Sequence, residues 1–591
     1  MKLKASNLAI ILIVLVCLFI DFDLKNWEKR DRVIEHDIHW YYSYLPATFI
    51  YDDIELQKSN YLFDGDYYLF WPIKTPEGKN LIKTTMGASI LYAPFFFVAH
   101  AYVIYSDYPA NGFSEPYKLF LLLSALFYLF VGLDFVKKTL QHLFFSDTQI
   151  AITLLIVGLG TNLLCYSSQS APMTHVYNFF LFAIFTYYTI KWYEKQSIKH
   201  TLILGMTIGL ISLIRPSNAV IILFFILYNI SNRQELKQRI RLFTTKFYFI
   251  LLIVFVSFLV WVPQFMYWKT VTGNYLFYSY TDEGFYFSEP KILLGLFSFR
   301  KGWLIYTPIM AFALIGLFYL KDSLKKQFYI PILFFFLFNI YIIFSWWCWW
   351  YGGTFGQRSL IESYAILAIP LAGFVKLISK KKKIVIYLFY STCGFFVWLN
   401  IFQTYQFENM SLHYDGMTKE LYFKQFGKMK KIKDFHLYVN SPNYDEAKGL
   451  IKEQKKVSLP ETESLKIYLK ASNGKYVCVD NTKNDLLIAD RAVADLWELF
   501  TLTMYKNGNS VLQSHEHLYV SANLSNENKI DAKRAQAADW EFFKIKKMHD
   551  NFISIQATNN KYISVDEITG QLYGRSDSVG KNETFELIIV K

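Results

Sequence analysis

Charged residues are scarce in this sequence of 591 residues: they make up only 18% of it, while 53% of the residues are hydrophobic and 19% are aromatic. Soluble domains carry roughly 25% charged residues, so the composition excludes an ordinary soluble protein and indicates a membrane protein with a polar appendage. The formal net charge is +13. Because much of this excess lies in short loops between apolar segments, where it sets the topology, we expect membrane lipid and no nucleic acid as a partner.

Cysteine is also rare, and four of the five cysteines lie in or beside apolar segments at no spacing typical of metal ligands. The sequence therefore predicts neither a disulfide framework nor a zinc site. The five residues are Cys17, Cys165, Cys348, Cys393 and Cys478.

A signal-peptide cleavage site is missing as well. Lys2 and Lys4 precede an apolar segment from Leu8 to Ile20, but the residues that follow (DFD) contain no A-x-A motif. We therefore interpret the segment as an uncleaved anchor that begins on the inner side of the membrane.

The basic loops between the apolar segments predict the topology. Residues 81–105 are apolar and of spanning length, but a crossing there would place five later basic clusters on the outer face, against the positive-inside rule. We therefore predict that residues 81–105 form a juxtamembrane or re-entrant segment of the outer face, with a helix broken at Gly87 and Pro94. Eleven spans remain, near residues 6–21, 117–136, 149–166, 174–192, 200–214, 217–231, 246–263, 303–320, 327–345, 361–379 and 384–401.

The predicted fold over residues 1–401 is a polytopic α-helical membrane bundle with outer-face juxtamembrane helices. Its outer loops are residues 22–116, 264–302 and 346–360, and a polar linker follows over residues 402–464. We expect an integral protein of the plasma (inner) membrane, with its C-terminal domain on the outer, periplasmic or extracellular, face.

The last part of the chain, residues 465–591, contains a repeat. The segments LKASNGKYVCVD, LQSHEHLYVSAN and IQATNNKYISVD align with Tyr476, Tyr519 and Tyr562 in register. A second mark is Trp497-Glu498 and Trp540-Glu541, for which we take Phe585-Glu586 as the third counterpart. Three strand-rich units, each too small to bury its own core, predict an all-β β-trefoil, since a propeller needs at least four blades.

The segment from Glu35 to Tyr51, EHDIHWYYSYLPATFIY, is the candidate site. It places the Asp37 carboxylate between His36 and His39, ahead of several aromatic residues. One interpretation is a helix N-cap followed by an interfacial aromatic belt. The other is a catalytic carboxylate at the outer mouth of the bundle.

Other outer loops carry cations. Arg300 and Lys301 precede a span that begins outside, and Arg358 follows the segment WWCWWYGGTFGQ. A cation kept on the outer face indicates either an ordinary helix boundary or a bound anion. Arg215, between two apolar segments, is either a snorkelling residue or part of a site.

Residues 1 to about 400 resemble the C-type membrane glycosyltransferase superfamily. The matching features are Asp37 in the first outer loop and Lys83 in LIKTTMGA. The resemblance implies transfer of a sugar from a polyprenyl-phosphate donor to an acceptor at the outer face. That family pairs two acidic residues in this loop. Glu35-His36-Asp37 matches the pairing only loosely, which leaves a divalent metal open.

The C-terminal repeats resemble the fascin-like β-trefoil through their NGKYV and WE(L/F)F elements. The actin-binding function of fascin-like units does not transfer to an outer-face domain fused to a membrane bundle. Glycan binding is the expectation for this domain instead.

Sugar transfer from a lipid phosphate needs a base, cations at the leaving phosphate and a groove for the isoprenoid and the sugar. We assign Asp37 as the base, with His36 or His39 as the alternative base or, together with Asp37, a divalent-metal site. Trp346 to Trp350 are candidates for the groove. The donor phosphate is assigned to Lys83, Arg300 and Arg358, and contacts with the acceptor or sugar to His36, His39, Trp40, Tyr41, Tyr42 and Glu283.

Two other functions stay open. A transporter or flippase of lipid-linked glycan would place ionisable residues inside its spans and would carry an internal duplication, and neither mark is clear in the sequence. A membrane-anchored carbohydrate-binding protein would need far fewer spans. The sequence leaves the sugar open, and the acceptor is a glycan, a lipid or a protein.

Overall fold

The computed structural model describes residues 4–58, 73–321, 326–433, 435–442, 444–449, 464–480, 485–505, 508–522, 528–534, 537 and 539–590. Parts of the predicted outer loop 22–116 and of the predicted linker 402–464 therefore lie outside the described residues. The chain divides into two compact units, Met1–Lys430 with Pro442–Ile451, and Lys431–Ser441 with Lys452–Lys591.

The first unit is helical. Its helices are α1 (Ala5–Leu24), α2 (His36–Tyr42), α3 (Tyr44–Phe49), α4 (Gly87–Ile104), α5 (Glu115–His142), α6 (Asp147–Leu159), α7 (Leu163–Tyr166), α8 (Thr174–Glu194), α9 (Ile198–Ile214), α10 (Ile222–Leu227), α11 (Arg233–Thr245), α12 (Phe247–Thr272), α13 (Ile292–Phe297), α14 (Trp303–Tyr306), α15 (Ala311–Lys321), α16 (Tyr329–Ser345), α17 (Tyr364–Ile378), α18 (Lys383–Glu408), α19 (Lys419–Gln425) and α20 (Tyr444–Ala447).

Several of these helices are long and apolar enough to cross a membrane. Within the described ranges they number seven: Ala5–Glu28, Gly87–Ile104, Glu115–His142, Phe247–Thr272, Lys326–Ser345, Arg358–Ile378 and Lys383–Glu408. Shorter apolar helices are Asp147–Leu159, Ile198–Ile214, Pro216–Leu227 and Pro308–Lys321. Because an apolar helix of about 20 residues matches the bilayer core, this unit associates with a membrane.

Helix α4 differs from the sequence-based expectation. It runs unbroken from Gly87 to Ile104 with Pro94 inside it, so the predicted break is wrong. Proline removes a single backbone N–H, and the burial of Tyr92 and Phe96 on either side of it holds the helix together. Gly87 allows the close approach of α4 to the end of α9, because a Cβ atom at this position would lie 2.4 Å from the backbone nitrogen of Ile214.

The first long loop packs on the bundle through its own core. The short helices α2 and α3 and the hairpin of β1 (Ile73–Lys74) and β2 (Asn80–Leu81) belong to this loop. Trp40, Tyr44 and Leu81 form a buried cluster with Tyr267 and Trp268 of α12. Since apolar burial stabilises by about 25 cal/mol per Å², this cluster fixes α2 relative to the bundle.

The second unit is all β. Its strands are β3 (Ser464–Lys470), β4 (Tyr476–Asp480), β5 (Leu486–Arg491), β6 (Phe500–Met504), β7 (Ser510–Ser514), β8 (Tyr519–Ala522), β9 (Ile530–Arg534), β10 (Lys544–Lys547), β11 (Phe552–Gln556), β12 (Tyr562–Val565), β13 (Leu572–Ser576) and β14 (Thr584–Ile589).

All the pairings between these strands are antiparallel. Strands β3 to β9 close into a ring through the pairing of β3 with β6, and β14 pairs with both β3 and β11. The inward residues form one hydrophobic core that includes Leu469, Leu512 and Ile555 from the three repeats. Alternation of apolar and polar residues along each strand produces this one-sided burial.

The third repeat is aligned differently from the expectation. Short 3₁₀ turns occur at Leu496–Glu498, Asp539–Glu541 and Lys581–Glu583. Each turn is followed by a buried phenylalanine, namely Phe500, Phe543 or Phe585. Phe585 is therefore the counterpart of Phe500 and Phe543, and the assignment of Phe585-Glu586 to the Trp-Glu position is wrong.

Candidate functional site

Helix α2 directs Asp37 and Tyr41 to one face. Residues four apart lie on the same side of a helix, and these two side chains are only partly buried, with 46% of the Asp37 side chain exposed. The other faces of α2 carry Ile38, Trp40 and Tyr42, which are buried. The burial pattern of this short helix thus leaves one acidic face open.

Arg358 is the partner of Asp37. Its Nη2 donates to Asp37 Oδ2 at 2.8 Å, although 321 positions separate the two residues. Only 15% of the Arg358 side chain is exposed. Burial on its own would raise the pKa of Asp37, but Arg358, with help from Lys83 and His36, outweighs it and holds the pKa below the usual value. Asp37 is therefore a carboxylate at neutral pH.

Tyr41 and Tyr280 border this ion pair. Burial, with the nearby Asp37 carboxylate, raises the pKa of Tyr41 to about 12. Tyr280 is also within electrostatic range of Asp37 and Tyr41. Both phenols are thus neutral at physiological pH and available as hydrogen-bond donors.

Lys83, which precedes α4, is held in the same region by contacts with the loop that follows α12. Its ammonium group forms an ion pair with Glu283 at 2.5 Å and lies 5.1 Å from the centre of the Tyr280 ring. The Ser279 hydroxyl donates to the Lys83 carbonyl and ties the two loops together. The first long loop and the loop 264–302 therefore meet beside Asp37.

A buried network lies next to Arg358. Glu362, which follows Arg358 on the 3₁₀ helix Arg358–Ser363, accepts from His175 Nδ1 at 2.9 Å and from Asn218 Nδ2 at 3.4 Å. Arg215 is 3.8 Å from the same carboxylate and packs 4.8 Å from the centre of the Tyr351 ring. Sequence reasoning left Arg215 undecided between two roles and did not find His175 or Glu362. The Arg-Pro interruption between two apolar segments was the available signal.

Arg300 and Lys301 lie in a neighbouring network. Arg300 donates to the Asp415 carbonyl at 2.8 Å and lies 5.8 Å from the centre of the Trp350 ring. Lys301 is 2% exposed and donates to the carbonyls of Thr354 and Tyr414. Burial lowers the pKa of Lys301 to about 7. Arg300 is thus held by the segment after α18, whereas Lys83 and Arg358 are beside Asp37.

Three residues assigned to the acceptor or sugar lie in packing contacts. Tyr42 donates its hydroxyl to the Gly112 carbonyl at 2.5 Å, and Trp40 belongs to the loop core described above. His39 packs 5.4 Å from Phe113, and burial lowers its pKa to about 3. These three side chains lie on the buried faces of α2, whose 3.6-residue period separates them from Asp37.

The other residues that the sequence assigned to the site lie outside the Asp37–Arg358 pair. His36 is exposed and lies 3.9 Å from Glu35, and Glu283 is held by Lys83. Trp346 packs against Phe285 at 4.8 Å, while Trp347, Trp349 and Trp350 are buried. Among the described residues there is no group of three or more His, Cys, Asp or Glu that could hold a metal ion.

Comparison with known proteins gives no family. No protein-family model and no curated protein matches this sequence. Similar solved structures include the designed 3-fold symmetric protein ThreeFoil, with 16% identity, a TM-score of 0.20 and coverage of 21% of this chain and 99% of that chain. A mosquitocidal holotoxin shows 11% identity and a TM-score of 0.20, with coverage of 21% and 16%. SeviL bound to asialo-GM1 saccharide shows 11% identity and a TM-score of 0.19, with coverage of 21% and 98%.

Proposed function

We propose that this protein is a membrane glycosyltransferase that moves a sugar from a polyprenyl-phosphate donor to an acceptor at the outer face of the membrane. The observation that carries the proposal is the Asp37–Arg358 ion pair with Lys83 beside it. Transfer from a phosphate needs a carboxylate at the acceptor and cations at the leaving group. Separate segments of the chain supply both at one place.

In this proposal the acceptor hydroxyl loses its proton to the Asp37 carboxylate. The acceptor oxygen forms a bond to the anomeric carbon while the bond from that carbon to the phosphate oxygen breaks. The polyprenyl phosphate leaves with the electron pair, and Arg358, Lys83 and Arg215 stabilise the charge that develops on it. A single displacement of this kind inverts the configuration of the sugar.

The ion pair gives the carboxylate two states. With Arg358 bound to it, Asp37 has a lowered pKa and is a weak base. A donor phosphate that attracts Arg358 weakens this pairing and so raises the pKa of Asp37 towards the pH at which a general base works best. Donor binding would then make Asp37 a stronger base only when the sugar is in place. Arg300, in its neighbouring network, stays assigned to the donor phosphate.

The topology proposed with this function has eleven spans, in which α4 does not cross the membrane. The start and the middle of α4, and the segment that follows the helix, contact the same loop, which supports the proposal. Near its start, the Ser89 hydroxyl donates to the Tyr41 carbonyl. Phe97, further along, lies 4.9 Å from Phe49 in α3, and the Tyr42 hydroxyl reaches Gly112 beyond its end. A helix that crossed the bilayer would carry its far end about 27 Å away from that loop.

We also propose that the second unit is a β-trefoil that binds glycan on the outer face of a plasma membrane. Each of its three repeats contributes four strands in the same order, β3–β6, β7–β10 and β11–β14. A buried phenylalanine lies at or next to the start of the last strand of each repeat, which supports a three-fold arrangement. Titration of residues 464–591 with an oligosaccharide panel tests the ligand. No binding across a broad panel would overturn the glycan assignment.

A donor assay tests the proposed activity. The purified protein, reconstituted in nanodiscs, is incubated with a panel of polyprenyl-phosphate sugars and with glycan, lipid and protein acceptors. Release of polyprenyl phosphate, slowed about 10²–10⁴-fold in Asp37→Asn, is the expected result. If the protein instead moved intact lipid-linked sugar between the leaflets of a liposome and cleaved none of it, the transporter function would replace this one.

A further inference from the structure

A cavity of about 650 Å³ opens at the end of the bundle opposite to Asp37 in the proposed topology. It lies between the ends of α5, α8, α10, α15 and α17. Each of these ends adjoins one of the five basic loops that the positive-inside rule places inside. The cavity volume is within the range of roughly 300–1,000 Å³ that small-molecule sites occupy.

The charge lining this cavity is unbalanced. Lys376 and Lys380 face it from the end of α17, and in the described part of the chain neither pairs with a carboxylate. Glu194, the acidic residue of the lining, already accepts a hydrogen bond from His142 and forms an ion pair with Lys191 at 3.0 Å. Two ammonium groups therefore remain available for an anion.

Apart from Gln327, the rest of the lining is apolar and aromatic. Leu143, Ile190 and Leu320 contribute a wall of buried aliphatic side chains. Phe144, at the rim, is 88% exposed and adopts a left-handed backbone conformation with φ of 58°. An exposed aromatic ring at the end of an apolar helix is typical of a membrane interface. A water-soluble anion would gain nothing from this wall, whereas a lipid would.

Helix α11 locates the membrane surface at the level of the cavity. It is amphipathic, and Leu236 and Ile240 on one face are 44% and 57% exposed, with Lys237 and Arg241 beside them. Such a helix lies in the interface with its apolar face in the headgroup region. The buried Arg239 anchors it by donating to the carbonyl of Tyr228, a residue that lines the cavity.

From this geometry we infer that the cavity binds an anionic phospholipid of the inner leaflet, with its phosphate between Lys376 and Lys380 and an acyl chain along Leu143, Ile190 and Leu320. Basic pockets between helices on the cytoplasmic side are a general solution for anionic headgroups. The site rests on the proposed topology but not on glycosyl transfer. It would bind lipid even if the outer site had another activity.

Native mass spectrometry of the full-length protein tests the inference. The protein is titrated with phosphatidylglycerol and, separately, with zwitterionic phosphatidylcholine. We expect preferential retention of phosphatidylglycerol and a loss of apparent affinity of about five-fold for each lysine replaced in Lys376→Gln and Lys380→Gln. Lys195→Gln with Lys199→Gln removes two exposed lysines from the same face and should change the affinity less than two-fold.

Two further measurements distinguish a bound lipid from a soluble phosphate and exclude misfolding of the variants. Lys376→Arg with Lys380→Arg should restore retention, because it keeps both charges. Glycerol phosphate should fail to displace the lipid at equal concentration. Equal retention of the two lipids, equal losses in the two Gln pairs, no recovery in the Arg pair, or displacement by glycerol phosphate would overturn the inference, the last in favour of a soluble phosphate ligand.

Discussion

Arg358 donates to the Asp37 carboxylate at 2.8 Å across 321 positions of sequence. The pair joins the first long loop to the start of a candidate span, and Arg358 is mostly buried while Asp37 is partly exposed. Two of the sequence-predicted roles, the base and a phosphate-binding cation, thus belong to one contact.

Asp37→Asn should lower turnover by about 10²–10⁴-fold, because that is the typical contribution of general base catalysis. Donor affinity should change little, since the amide keeps the volume of the carboxylate. Turnover and donor binding are measured separately in nanodiscs. Asp107→Asn, an exposed carboxylate on the loop after α4, is the matched control. Wild-type turnover in Asp37→Asn would assign the base to another residue, with His36 the exposed candidate.

Arg358→Gln should change the pH dependence of kcat/KM as well as its size. Because kcat/KM reports the free enzyme, in which Arg358 holds the pKa of Asp37 below its reference value of 3.8, wild-type kcat/KM should stay flat down to that pH. Removal of Arg358 leaves only Lys83 and His36 to oppose the effect of burial, so the acid limb should move to higher pH. The same sign governs stability: the pair stabilises the fold above pH 3.8, and this contribution is lost as the pH falls through the lowered value. An unshifted acid limb would show that Arg358 does not control Asp37.

Because Lys301 is buried, the free energy of unfolding should be larger at alkaline pH than at neutral pH. Burial lowers its pKa to about 7 from a reference value of 10.5, so the unfolded chain binds more protons than the folded chain between these values. The free energy of unfolding should therefore rise with pH from about 7 to 10.5. Thermal unfolding midpoints at pH 7 and 9 measure the effect, and Lys301→Met should reduce the difference. Lys291→Met, in the same loop and exposed, is the control and should leave the difference intact.

Cysteine labelling tests the topology. The five native cysteines are buried and free, so they should react slowly. Cysteines placed at Ser106 and Asn473 should react with an impermeant reagent added outside intact cells, and one at Lys195 should react only after the membrane is opened. Labelling of Ser106 from the cytoplasmic side alone would mean that α4 crosses the membrane and would overturn the eleven-span topology.

The β unit should unfold cooperatively on its own as residues 464–591. A fragment that starts at residue 471 should not fold, because it lacks β3, which pairs with β4, β6 and β14. Phe585→Ala should lower the free energy of unfolding by about 3–5 kcal/mol, as expected for a buried phenylalanine. Leu496→Ala, on an exposed side chain, should stay within about 0.5 kcal/mol. Denaturation followed by circular dichroism measures both, and a gradual transition in the intact fragment would contradict an independent unit.

Membrane association and the all-β character of the C-terminal unit could be predicted from the sequence because their signals are local. An apolar segment of about 20 residues is enough to indicate a membrane span. Alternation of apolar and polar residues, and the regular spacing of the repeats, indicate the strands. Asp37 could be singled out for the same reason. It is a carboxylate in an aromatic segment directly after the first apolar helix.

Contacts between distant segments became visible only once the chain was folded. Which face of α2 stays open follows from the cluster around Trp40 and Trp268, which no local pattern encodes. Helix α4 continues past Pro94 because the buried residues on either side of this proline keep the helix packed. The alignment of the third repeat with the other two follows from the burial of Phe585 in the shared core. Arg358 reaches Asp37, and Glu362 reaches His175 and Arg215, because packing of the bundle brings the ends of separate helices together. The sequence supplies these groups, but the free energy of burying the apolar surfaces between them selects their partners.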